Sequence, residues 1–256
     1  ASHRAALTRY RASWVLPVSR PPIPDGWIAV DRGRVTALGS PETIGPGPVE
    51  DLGRVAVLPG LVNAHAHLEL SFLRGLVPPA RNFVTWVRTM MALRRQEPDA
   101  SAPDILQGID DGIAEAIHCG TALIGDISNT LAPFSPLARS ELAAVVFYEL
   151  IRFRTSDPER FVEGALHRLD VLEPTAAVRA SLAPHAPYSV SPGVFRAIRR
   201  AVDRPPHPPV SVHLAESVDE IEFLASGTGA WRALLDELGA WDPAWRPPGT
   251  GPVPYL

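Results

Sequence analysis

Cysteine is nearly absent from this sequence. Cys119 is the one thiol among 256 residues, so the chain forms no internal disulfide and suits a reducing compartment. Uncharged apolar runs of about 18 residues, long enough to span a membrane, are also missing. The first residues lack the charged and apolar regions of a signal peptide. We therefore expect a cytoplasmic protein with no membrane partner.

Lysine is absent altogether, because all 24 basic residues are arginine. They are outnumbered by 28 acidic residues, which gives a formal net charge of −4, and no basic block occurs. A nucleic-acid partner is therefore not expected. The hydrophobic fraction of 46% is sufficient for a sizeable core. This composition is that of a globular protein with one large domain, or a large domain and a small one.

The first part of the sequence has the pattern of short β-strands. The stretch WIAVDRGRVTALG holds two alternating apolar runs on either side of Asp31-Arg32-Gly33, which predicts a β-hairpin. Another strand is predicted in RVAVLPG, where the Pro-Gly pair ends it. Helical periodicity is not found in this region. We therefore predict a small β-sandwich-like domain over residues 1–58.

From residue 59 onward, strand-like apolar runs alternate with helical patterns. Five such runs lie at about 61–65, 120–126, 143–149, 177–183 and 209–214. Strands that alternate with helices indicate a parallel sheet. We predict an α/β domain over residues 59–256 with about five βα units, fewer than the eight of a closed barrel.

Helix signals separate these runs. In PDILQGIDDGIAEAIHCG, isoleucines recur every fourth residue from Ile105 to Ile117, and Gly120 follows as a helix end. Helix-start patterns occur at three further places: Asp157-Pro158, Ser191-Pro192, and Ser217 with Glu220.

Two histidines end the first apolar run, in NAHAH. His65 and His67 are two residues apart, so on a strand both side chains lie on the same face. At the carboxyl end of a strand, both imidazoles can reach a single metal ion. The alternative is a pair of polar residues in a loop between strand and helix.

A third histidine, His213, ends the last apolar run in VSVHLAES. The carboxyl ends of the strands in α/β barrels carry the active site, so His213 is expected at the same rim as His65 and His67. Three neutral imidazoles suit one divalent metal, Zn²⁺ or Fe²⁺, with room for water. Glu216 follows three residues later. The alternatives are a core histidine and an acid that favours a helix N-terminus.

Polar residues also follow three other predicted strands. They are Asp126 after the second strand, Glu149 after the third and His185 after the fourth. Each is equally consistent with an ordinary loop residue and with a site residue. The remaining histidines lie near helix ends, in a connector or near the start of the chain, and are left out of the predicted site: His3, His118, His167 and His207.

Taken together, these residues resemble the amidohydrolase superfamily. PGLVNAHAHLE is similar to its first-strand motif. HLAES is similar to the fifth-strand motif of its aminohydrolase branch, whose members deaminate purines and nucleosides or dechlorinate triazines. The resemblance covers essentially the whole chain. It implies the N-terminal portion of a metal-dependent (β/α)₈ TIM barrel with a small β-domain.

The resemblance also implies roles for particular residues. His65, His67 and His213 correspond to metal ligands. Glu216 corresponds to the acid that carries a proton to the substrate ring nitrogen, and His185 to a histidine that contacts substrate. Two further residues are expected to bind substrate: Trp86, where several relatives have a tryptophan in the pocket, and Glu149.

The sequence departs from the family pattern in two respects. The fourth histidine and the catalytic aspartate of the family are expected beyond Leu256, so the chain resembles the front part of a longer enzyme and should be inactive by itself. Binuclear members bridge their metals through a carboxylated lysine, and this chain has no lysine. The resemblance therefore implies one divalent metal, Zn²⁺ or Fe²⁺.

The implied function is that of a metal-dependent hydrolytic deaminase. Metal-bound hydroxide would attack the amine-bearing ring carbon of a small-molecule substrate, an aminopurine nucleoside, and ammonia would leave. Thioadenosine deaminases have an acidic residue that contacts the ribose, and this chain has Arg94 and Arg95 near that place, which argues against a thioadenosine substrate. The stretch FYE, residues 147–149, is more similar to aminofutalosine deaminases. Both substrate types stay open. Relatives are often oligomers, so a homo-oligomer is expected by analogy.

Three alternatives also stay open. A dechlorinase of the same superfamily would release chloride from a triazine-like ring instead of ammonia. A cyclic amidohydrolase would open a cyclic amide. A non-catalytic fragment or pseudoenzyme would fold or pair without turnover, and would hold less than about one tightly bound metal ion per chain.

Overall fold

The structure is a computed structural model that describes residues 7–256 of the chain. The chain divides into two compact units, Ala1–Leu61 and Val62–Leu256. The domain boundary predicted from the sequence lies at residue 58. His3, which we left out of the predicted site, lies outside the described residues.

The first unit consists mainly of short β-strands. They are β1 (Thr8–Arg11), β2 (Trp14–Val15), β3 (Ile23–Pro24), β4 (Trp27–Asp31), β5 (Arg34–Gly39), β6 (Val49–Asp51) and β7 (Ala56–Val57). They form two sheets, one with the strand order β5-β4-β1-β6 and one with the order β3-β2-β7. A single 3₁₀ turn, Pro41–Thr43, follows β5 in the described part of this unit.

The β-hairpin predicted in the first unit is confirmed. Strands β4 and β5 pair antiparallel, with Asp31 opposite Arg34. The two loop residues between them both have positive φ, 49° at Arg32 and 74° at Gly33. Two positive φ values are the signature of a type I′ turn, whose twist matches that of the flanking strands.

The second unit is a parallel α/β structure. Its strands are β8 (Leu61–Ala66), which begins at the unit boundary, β9 (Thr121–Ser128), β10 (Ala143–Leu150) and β11 (Val178–Pro184). They lie side by side in chain order, and β9, β10 and β11 pair in parallel. Parallel strands that follow one another in chain order, with helices between them, form the first part of a β/α barrel, which is the predicted fold class.

Eight helices accompany these strands in the described part of the chain. They are α1 (Phe83–Arg94), α2 (Pro103–His118), α3 (Phe134–Arg139), α4 (Pro158–Asp170), α5 (Pro192–Val202), α6 (Val218–Ser226), α7 (Gly229–Glu237) and α8 (Pro252–Tyr255). A 3₁₀ segment, Leu68–Leu73, follows β8. None of these helices combines the length and the apolar character that crossing a membrane requires.

Helix α2 shows how the sequence pattern produces the core of this unit. Its isoleucines at 105, 109 and 113 are buried, whereas Ile117 in the last turn is 37% exposed. Gly120 follows with a φ of 82°, the left-handed conformation that commonly ends a helix. The buried face of α2 belongs to a core cluster that includes side chains of β9 and β10. The predicted apolar stripe is therefore confirmed except at its last member.

A glycine allows β8 and β9 to approach closely beside the histidine motif. A Cβ atom at Gly125 of β9 would lie 2.4 Å from the carbonyl oxygen of Ala64. A larger residue at 125 would therefore force the two strands apart. Because Ala64 directly precedes His65, this close packing fixes the strand segment that carries the histidine.

The predicted fifth strand is wrong. Residues 207–214 have no regular secondary structure, so the parallel sheet in the described chain has four strands. Prolines lie just before this segment, at 205 and 206, and in its first residues, at 208 and 209. Proline has no N–H to donate to a sheet. A backbone hydrogen bond of 2.7 Å connects this segment to the rest of the unit, from the N–H of His213 to the oxygen of His185. That bond attaches the segment to the chain just beyond β11.

Candidate active site

Three histidines meet at the carboxyl end of the parallel sheet. His65 lies in β8, His67 directly follows that strand, and His213 lies in the irregular segment beyond β11. One ligand nitrogen from each imidazole lies within 4.8 Å of the others. The three ring centroids are 4.7, 5.0 and 5.4 Å apart in pairs. The imidazoles therefore converge on one small volume.

The spacing within this cluster suits a single tetrahedral metal ion. The Nε2 atoms of His67 and His213 are 3.3 Å apart. Two nitrogens bound to one tetrahedral Zn²⁺ at about 2.0–2.1 Å are separated by about 3.3 Å. The two imidazoles thus already have the separation that a shared ion requires.

The protonation state of the cluster also suits a metal. Burial, followed by repulsion from His213 and His65, lowers the pKa of His67 to about 4. Burial also lowers the pKa of His213, although the charge of Glu216 acts in the opposite direction. Both side chains are therefore neutral at pH 7, which is the form that binds metal ions.

The tautomer of His213 is set by its second ring nitrogen. Nδ1 lies 3.2 Å from the backbone oxygen of His185, an acceptor, so Nδ1 carries the proton. The lone pair is then on Nε2, which faces His67. A second set of possible ligands, Glu149, His185 and His213, also converges within 4.8 Å. The atom of His213 near Glu149 is the protonated Nδ1, so the set with His65 and His67 is the better metal site.

Glu216 lies three residues after His213 on the same irregular segment, and its charge acts on that imidazole. Glu216 is exposed and comes just before α6, whose N-cap is Ser217. Its Oε2 accepts a hydrogen bond of 2.5 Å from the hydroxyl of Tyr188. The carboxylate is thus both accessible from outside and held on one side by the protein. Its role as proton carrier stays a prediction.

Glu149 lies near the end of β10 and borders the histidines. It is 5% exposed, and its Oε1 lies 3.4 Å from Nδ1 of His213. Its Oε2 accepts a hydrogen bond of 2.9 Å from the side-chain amide of Asn129. Burial raises the pKa of Glu149 to about 7, although the hydrogen bond from Asn129 lowers it. This carboxyl group can therefore exchange a proton near neutral pH; its predicted contact with substrate stays a prediction.

Asn129 is itself held by a buried acid that we did not single out from the sequence. Glu69 is 3% exposed and lies in the 3₁₀ segment after His67. Its carboxylate accepts hydrogen bonds from the hydroxyls of Ser128 and Thr130, at 2.7 and 2.6 Å, and from the N–H of Asn129, at 2.9 Å. These contacts link the loop after β9 to the segment that carries the histidine pair.

Residues 56–239, most of the chain, match the amidohydrolase family. The chain belongs to the amidohydrolase family.

Among curated relatives, this amidohydrolase is similar to two bacterial enzymes named 5-methylthioadenosine/S-adenosylhomocysteine deaminase. The one from Desulfitobacterium hafniense is 25% identical over 237 residues, which are 88% of this chain and 53% of the relative. The one from Nitratidesulfovibrio vulgaris is 27% identical over 212 residues, which are 79% of this chain and 47% of the relative. The chain thus spans about half the length of the curated relatives it matches.

Solved structures show the same fold. Aminofutalosine deaminase of Helicobacter pylori, in complex with methylthio-coformycin, superposes with a TM-score of 0.75 at 22% identity, over 90% of this chain and 56% of that protein. An adenosine deaminase from Xanthomonas campestris with bound zinc superposes with a TM-score of 0.69 at 24% identity, over 91% of this chain and 55% of that one. At these identities the likeness shows the fold alone.

His185 follows β11 directly and lies beside the amidohydrolase histidine cluster. Its ring is 4.8 Å from that of His213, and its Nδ1 lies 2.6 Å from the hydroxyl of Ser189. Burial, followed by repulsion from His213 and His67, lowers the pKa of His185 to about 3. This neutral imidazole is available for hydrogen bonding next to the metal ligands, and its substrate contact stays a prediction.

Trp86 lies on α1 and is connected to the site through a row of aromatic rings. Its ring stacks with that of Phe83 at 6.0 Å, and Phe83 meets Trp231 edge-on at 6.0 Å. Trp231 in turn stacks on Tyr188 at 3.7 Å. Trp86 is thus two rings away from the tyrosine that contacts Glu216. Its predicted position in the substrate pocket stays a prediction.

Asp126 differs from its sequence-based description. It lies inside β9, not after it, and is completely buried. Its Oδ1 accepts a hydrogen bond of 2.8 Å from the N–H of Leu68. Burial raises the pKa of Asp126 well above its usual value. Asp126 therefore fixes the backbone immediately after His67.

Sequence reasoning overlooked Glu69, Tyr188 and the main contact of Glu220. Glu69 stands in the HAHLE stretch and Tyr188 in HAPYS, each within three residues of a chosen histidine, so proximity to those motifs was a usable signal. The helix start predicted at Ser217 is confirmed, because its hydroxyl accepts from the N–H of Glu220. The reciprocal contact of the capping box differs: the Glu220 carboxylate accepts from the N–H of Glu216, one residue before the cap. The other described histidines lie elsewhere, as expected: His118 ends α2, His167 lies in α4 and His207 lies in the proline-rich connector.

Proposed function

We propose that the protein is a metal-dependent hydrolytic deaminase that acts on an aminopurine nucleoside. The observation that carries this proposal is the convergence of three imidazoles, those of His65, His67 and His213, at the edge of the sheet, with the exposed Glu216 three residues after His213. A metal site next to a proton-carrying acid is what hydrolytic removal of an aromatic amine requires. Membership of the amidohydrolase family and the names of the curated relatives support the same reaction.

His65, His67 and His213 would hold one divalent metal ion. When bound there, the metal lowers the pKa of a water molecule and supplies a nucleophile at neutral pH. We propose Zn²⁺, because three imidazole nitrogens are a common zinc set and the 3.3 Å separation suits tetrahedral binding. The chain's own contribution is to keep His67 and His213 neutral and to direct the Nε2 lone pair of His213 toward His67.

Glu216 would hold the proton that is delivered to the ring nitrogen next to the amine-bearing carbon. Protonation of that nitrogen makes the carbon more electrophilic, which lowers the barrier to attack. The exposure of Glu216 supports this role, because the substrate ring must reach the acid from outside. The hydrogen bond from Tyr188 occupies Oε2, which leaves Oε1 for the substrate.

His185 and Glu149 are proposed to orient the substrate. Both side chains border the histidine cluster, and both can form hydrogen bonds, the first as a neutral imidazole and the second as a carboxyl group with a pKa of about 7. Polar groups of this kind, few and fixed, determine the orientation of a ligand in its site. Trp86, which stacks on Phe83, is proposed to form an apolar wall of the substrate pocket.

Two substrate types remain within this proposal. The names of the curated relatives favour a thioadenosine-like nucleoside. The FYE stretch that ends in Glu149, together with Arg94 and Arg95 near the end of α1, favours an aminofutalosine-like nucleoside. The two differ in the group attached to the ribose, so a nucleoside panel that varies only this group separates them.

An ammonia-release assay tests the proposed function. The assay uses the full-length protein, which is incubated with aminopurine nucleosides with and without prior removal of metal by a chelator; all kcat comparisons below use the same full-length protein. We expect ammonia from at least one nucleoside, loss of activity after chelation and recovery with Zn²⁺. Chloride released from a chlorinated triazine in place of ammonia would identify a dechlorinase instead. If the fully metal-loaded protein releases neither ammonia nor chloride, the proposal that it is an enzyme of this type is contradicted.

A further inference from the structure

We propose that Tyr188 and Glu220 are positioning residues that hold Glu216 at two points, its carboxylate and its backbone. The inference rests on the proposed function insofar as Glu216 is the proton carrier. Two-point anchoring would direct the free carboxylate oxygen toward the substrate. It would also keep the acid at a constant distance from His213, three residues earlier on the same segment.

The carboxylate is held by a tyrosine whose ring is buried and packed between other rings. Tyr188 is 2% exposed, and its hydroxyl donates to Oε2 of Glu216 at 2.5 Å. Its ring stacks on Trp231 with centroids 3.7 Å apart and planes 13° from parallel. His185 closes a further side, with an edge-on ring contact at 5.5 Å. The donor is therefore fixed in space before any substrate arrives, as positioning requires.

The direction of this hydrogen bond is also fixed. Burial raises the pKa of Tyr188 far above its usual range, and the charge of Glu216 adds to this. The phenol therefore keeps its proton and acts as a donor to the carboxylate. Because Oε2 is occupied as an acceptor, the proton that Glu216 exchanges with a substrate belongs on Oε1.

The backbone of Glu216 is held by a completely buried carboxylate. Glu220 lies in the first turn of α6, and its Oε2 accepts from the N–H of Glu216 at 2.8 Å. The backbone of Ala215 also acts on this carboxylate and lowers its pKa, against the larger effect of burial. Ala215 has a φ of +58°, a left-handed conformation that residues with a Cβ atom rarely adopt. The carboxylate of Glu220 stabilises this unusual turn from inside the fold.

The two contacts act on different parts of one short segment. Its upstream end is attached to the sheet by the hydrogen bond from the N–H of His213 to His185. Its downstream end enters α6 through the Ser217 cap. Between these ends, Glu220 fixes the main chain and Tyr188 fixes the side chain. The metal ligand and the acid are thereby kept in one geometry.

Tyr188→Phe tests the side-chain contact, because it removes the hydroxyl and keeps the stacked ring. We expect kcat for ammonia release to fall about 10- to 100-fold while KM changes less than about 3-fold, as for loss of an interaction used in proton transfer. Tyr255→Phe, another partly buried tyrosine of the second unit, is the matched control and should keep wild-type kcat.

A double-mutant cycle separates positioning from general packing. If Tyr188 acts through Glu216, adding Tyr188→Phe to Glu216→Gln causes no further loss of kcat. A purely structural role would multiply the two losses and would overturn the proposal. Wild-type kcat in Tyr188→Phe would overturn it as well.

The backbone contact is tested without any substrate. Hydrogen exchange at the Glu216 amide, followed in a peptide that covers residues 213–218, should be at least about 10-fold faster in Glu220→Ala than in wild type, because its acceptor is gone. Glu220→Gln keeps an oxygen acceptor and should restore slow exchange. Glu222→Gln on the exposed side of α6 is the control. Unchanged exchange in Glu220→Ala would refute the contact.

These experiments distinguish a failure of the proposed deaminase function from a failure of the proposed positioning of Glu216. If no nucleoside releases ammonia, the proposed function fails, and the exchange experiment still decides whether Glu220 holds Glu216. If ammonia is released but Tyr188→Phe and Glu220→Ala keep wild-type kcat, the function stands and the positioning fails. Recovery of kcat in Glu220→Gln after its loss in Glu220→Ala would support positioning over a requirement for charge.

Discussion

His67 and His213 are 146 residues apart in the sequence, yet their Nε2 atoms lie 3.3 Å apart. The first is fixed by the end of β8, and the second by a single backbone hydrogen bond to the residue that follows β11. Because β8 and β11 belong to one parallel sheet, the end of β8 and the segment bonded just beyond β11 lie at the same edge. This relationship makes the site a consequence of the sheet topology.

Loss of one imidazole should abolish tight metal binding. In His213→Gln we expect the metal content after dialysis to fall from about one ion per chain to less than about 0.1, because two imidazoles bind an ion far more weakly than three. Elemental analysis by mass spectrometry measures this directly. His167→Gln, in α4 and away from the cluster, should retain the full metal content. Equal metal in both variants would contradict the assignment of His213.

Much of this arrangement could be predicted from local patterns. The hairpin followed from its Asp-Arg-Gly turn, and α4 and α5 followed from N-caps followed by proline at 157–158 and 191–192. In both helices the cap side chain accepts the expected backbone hydrogen bond. Signals of this kind are reliable because turn and cap preferences depend on adjacent residues alone.

Other features depend on contacts that no local pattern shows. The alternating valines of 210–212 favoured a strand, but the stretch has no regular secondary structure, and the prolines directly before it cannot donate to a neighbouring strand. The spacing of Ser217 and Glu220 correctly predicts the cap of α6, but it does not show that the Glu220 carboxylate is buried and accepts from the N–H of Glu216. Whether an acid on a helix faces outward or inward is decided by tertiary packing, which spacing alone does not determine.

Asp126 should contribute to metal affinity although it lies outside the imidazole cluster. Its Oδ1 accepts from the N–H of Leu68 and so fixes the chain after His67. Residues that orient metal ligands typically change affinity by about 10- to 100-fold when replaced. We expect a loss of this size in Asp126→Ala, measured by competition with a chromogenic chelator.

Two further variants make the Asp126 measurement specific. Asp126→Asn keeps an oxygen acceptor and should lose much less affinity than the alanine variant. Asp111→Ala on the exposed side of α2 should bind metal as the wild type does. An affinity in Asp126→Ala equal to that of wild type would show that the backbone after His67 needs no such support.

The close approach of β8 and β9 should make position 125 intolerant of a side chain. In Gly125→Ala the added Cβ would collide with the oxygen of Ala64, and we expect the free energy of unfolding to fall by about 1–3 kcal/mol. Gly164→Ala in α4 meets no atom within 4 Å and should raise that free energy by up to about 1 kcal/mol. Urea unfolding of both variants would detect these opposite signs. A stable Gly125→Ala would mean that the strands are farther apart.

Glu149 should make stability depend on pH in the metal-free protein. Burial raises its pKa in the folded state from 4.5 to about 7, so between these values the folded chain holds a proton that the unfolded chain has lost. The contribution of Glu149 to the free energy of unfolding is therefore fully present below pH 4.5 and is lost as the pH rises through 7. Relative to Glu149→Gln, the free energy of unfolding of the wild type should fall by about 3 kcal/mol over this range, as the rise of this pKa from 4.5 to about 7 implies.

The measurement is urea unfolding of chelated wild-type and Glu149→Gln protein at a series of pH values. Glu237→Gln is a suitable control, because its hydrogen bond with Arg88 lowers the pKa of Glu237 and moves its titration below this range. The difference in free energy of unfolding between wild type and Glu237→Gln should not depend on pH above about pH 5. A flat difference for Glu149→Gln as well would mean that this carboxyl group titrates normally.

The central claim is that Glu216 carries a proton beside a metal held by three imidazoles. The most direct test compares kcat for ammonia release in wild type and Glu216→Gln at equal metal content, with Asp219→Asn in the first turn of α6 as control. The account predicts a loss of at least about 100-fold in Glu216→Gln and nearly unchanged turnover in Asp219→Asn. Glu216→Gln turnover within about 3-fold of wild type would contradict it, since that loss is too small for a general acid.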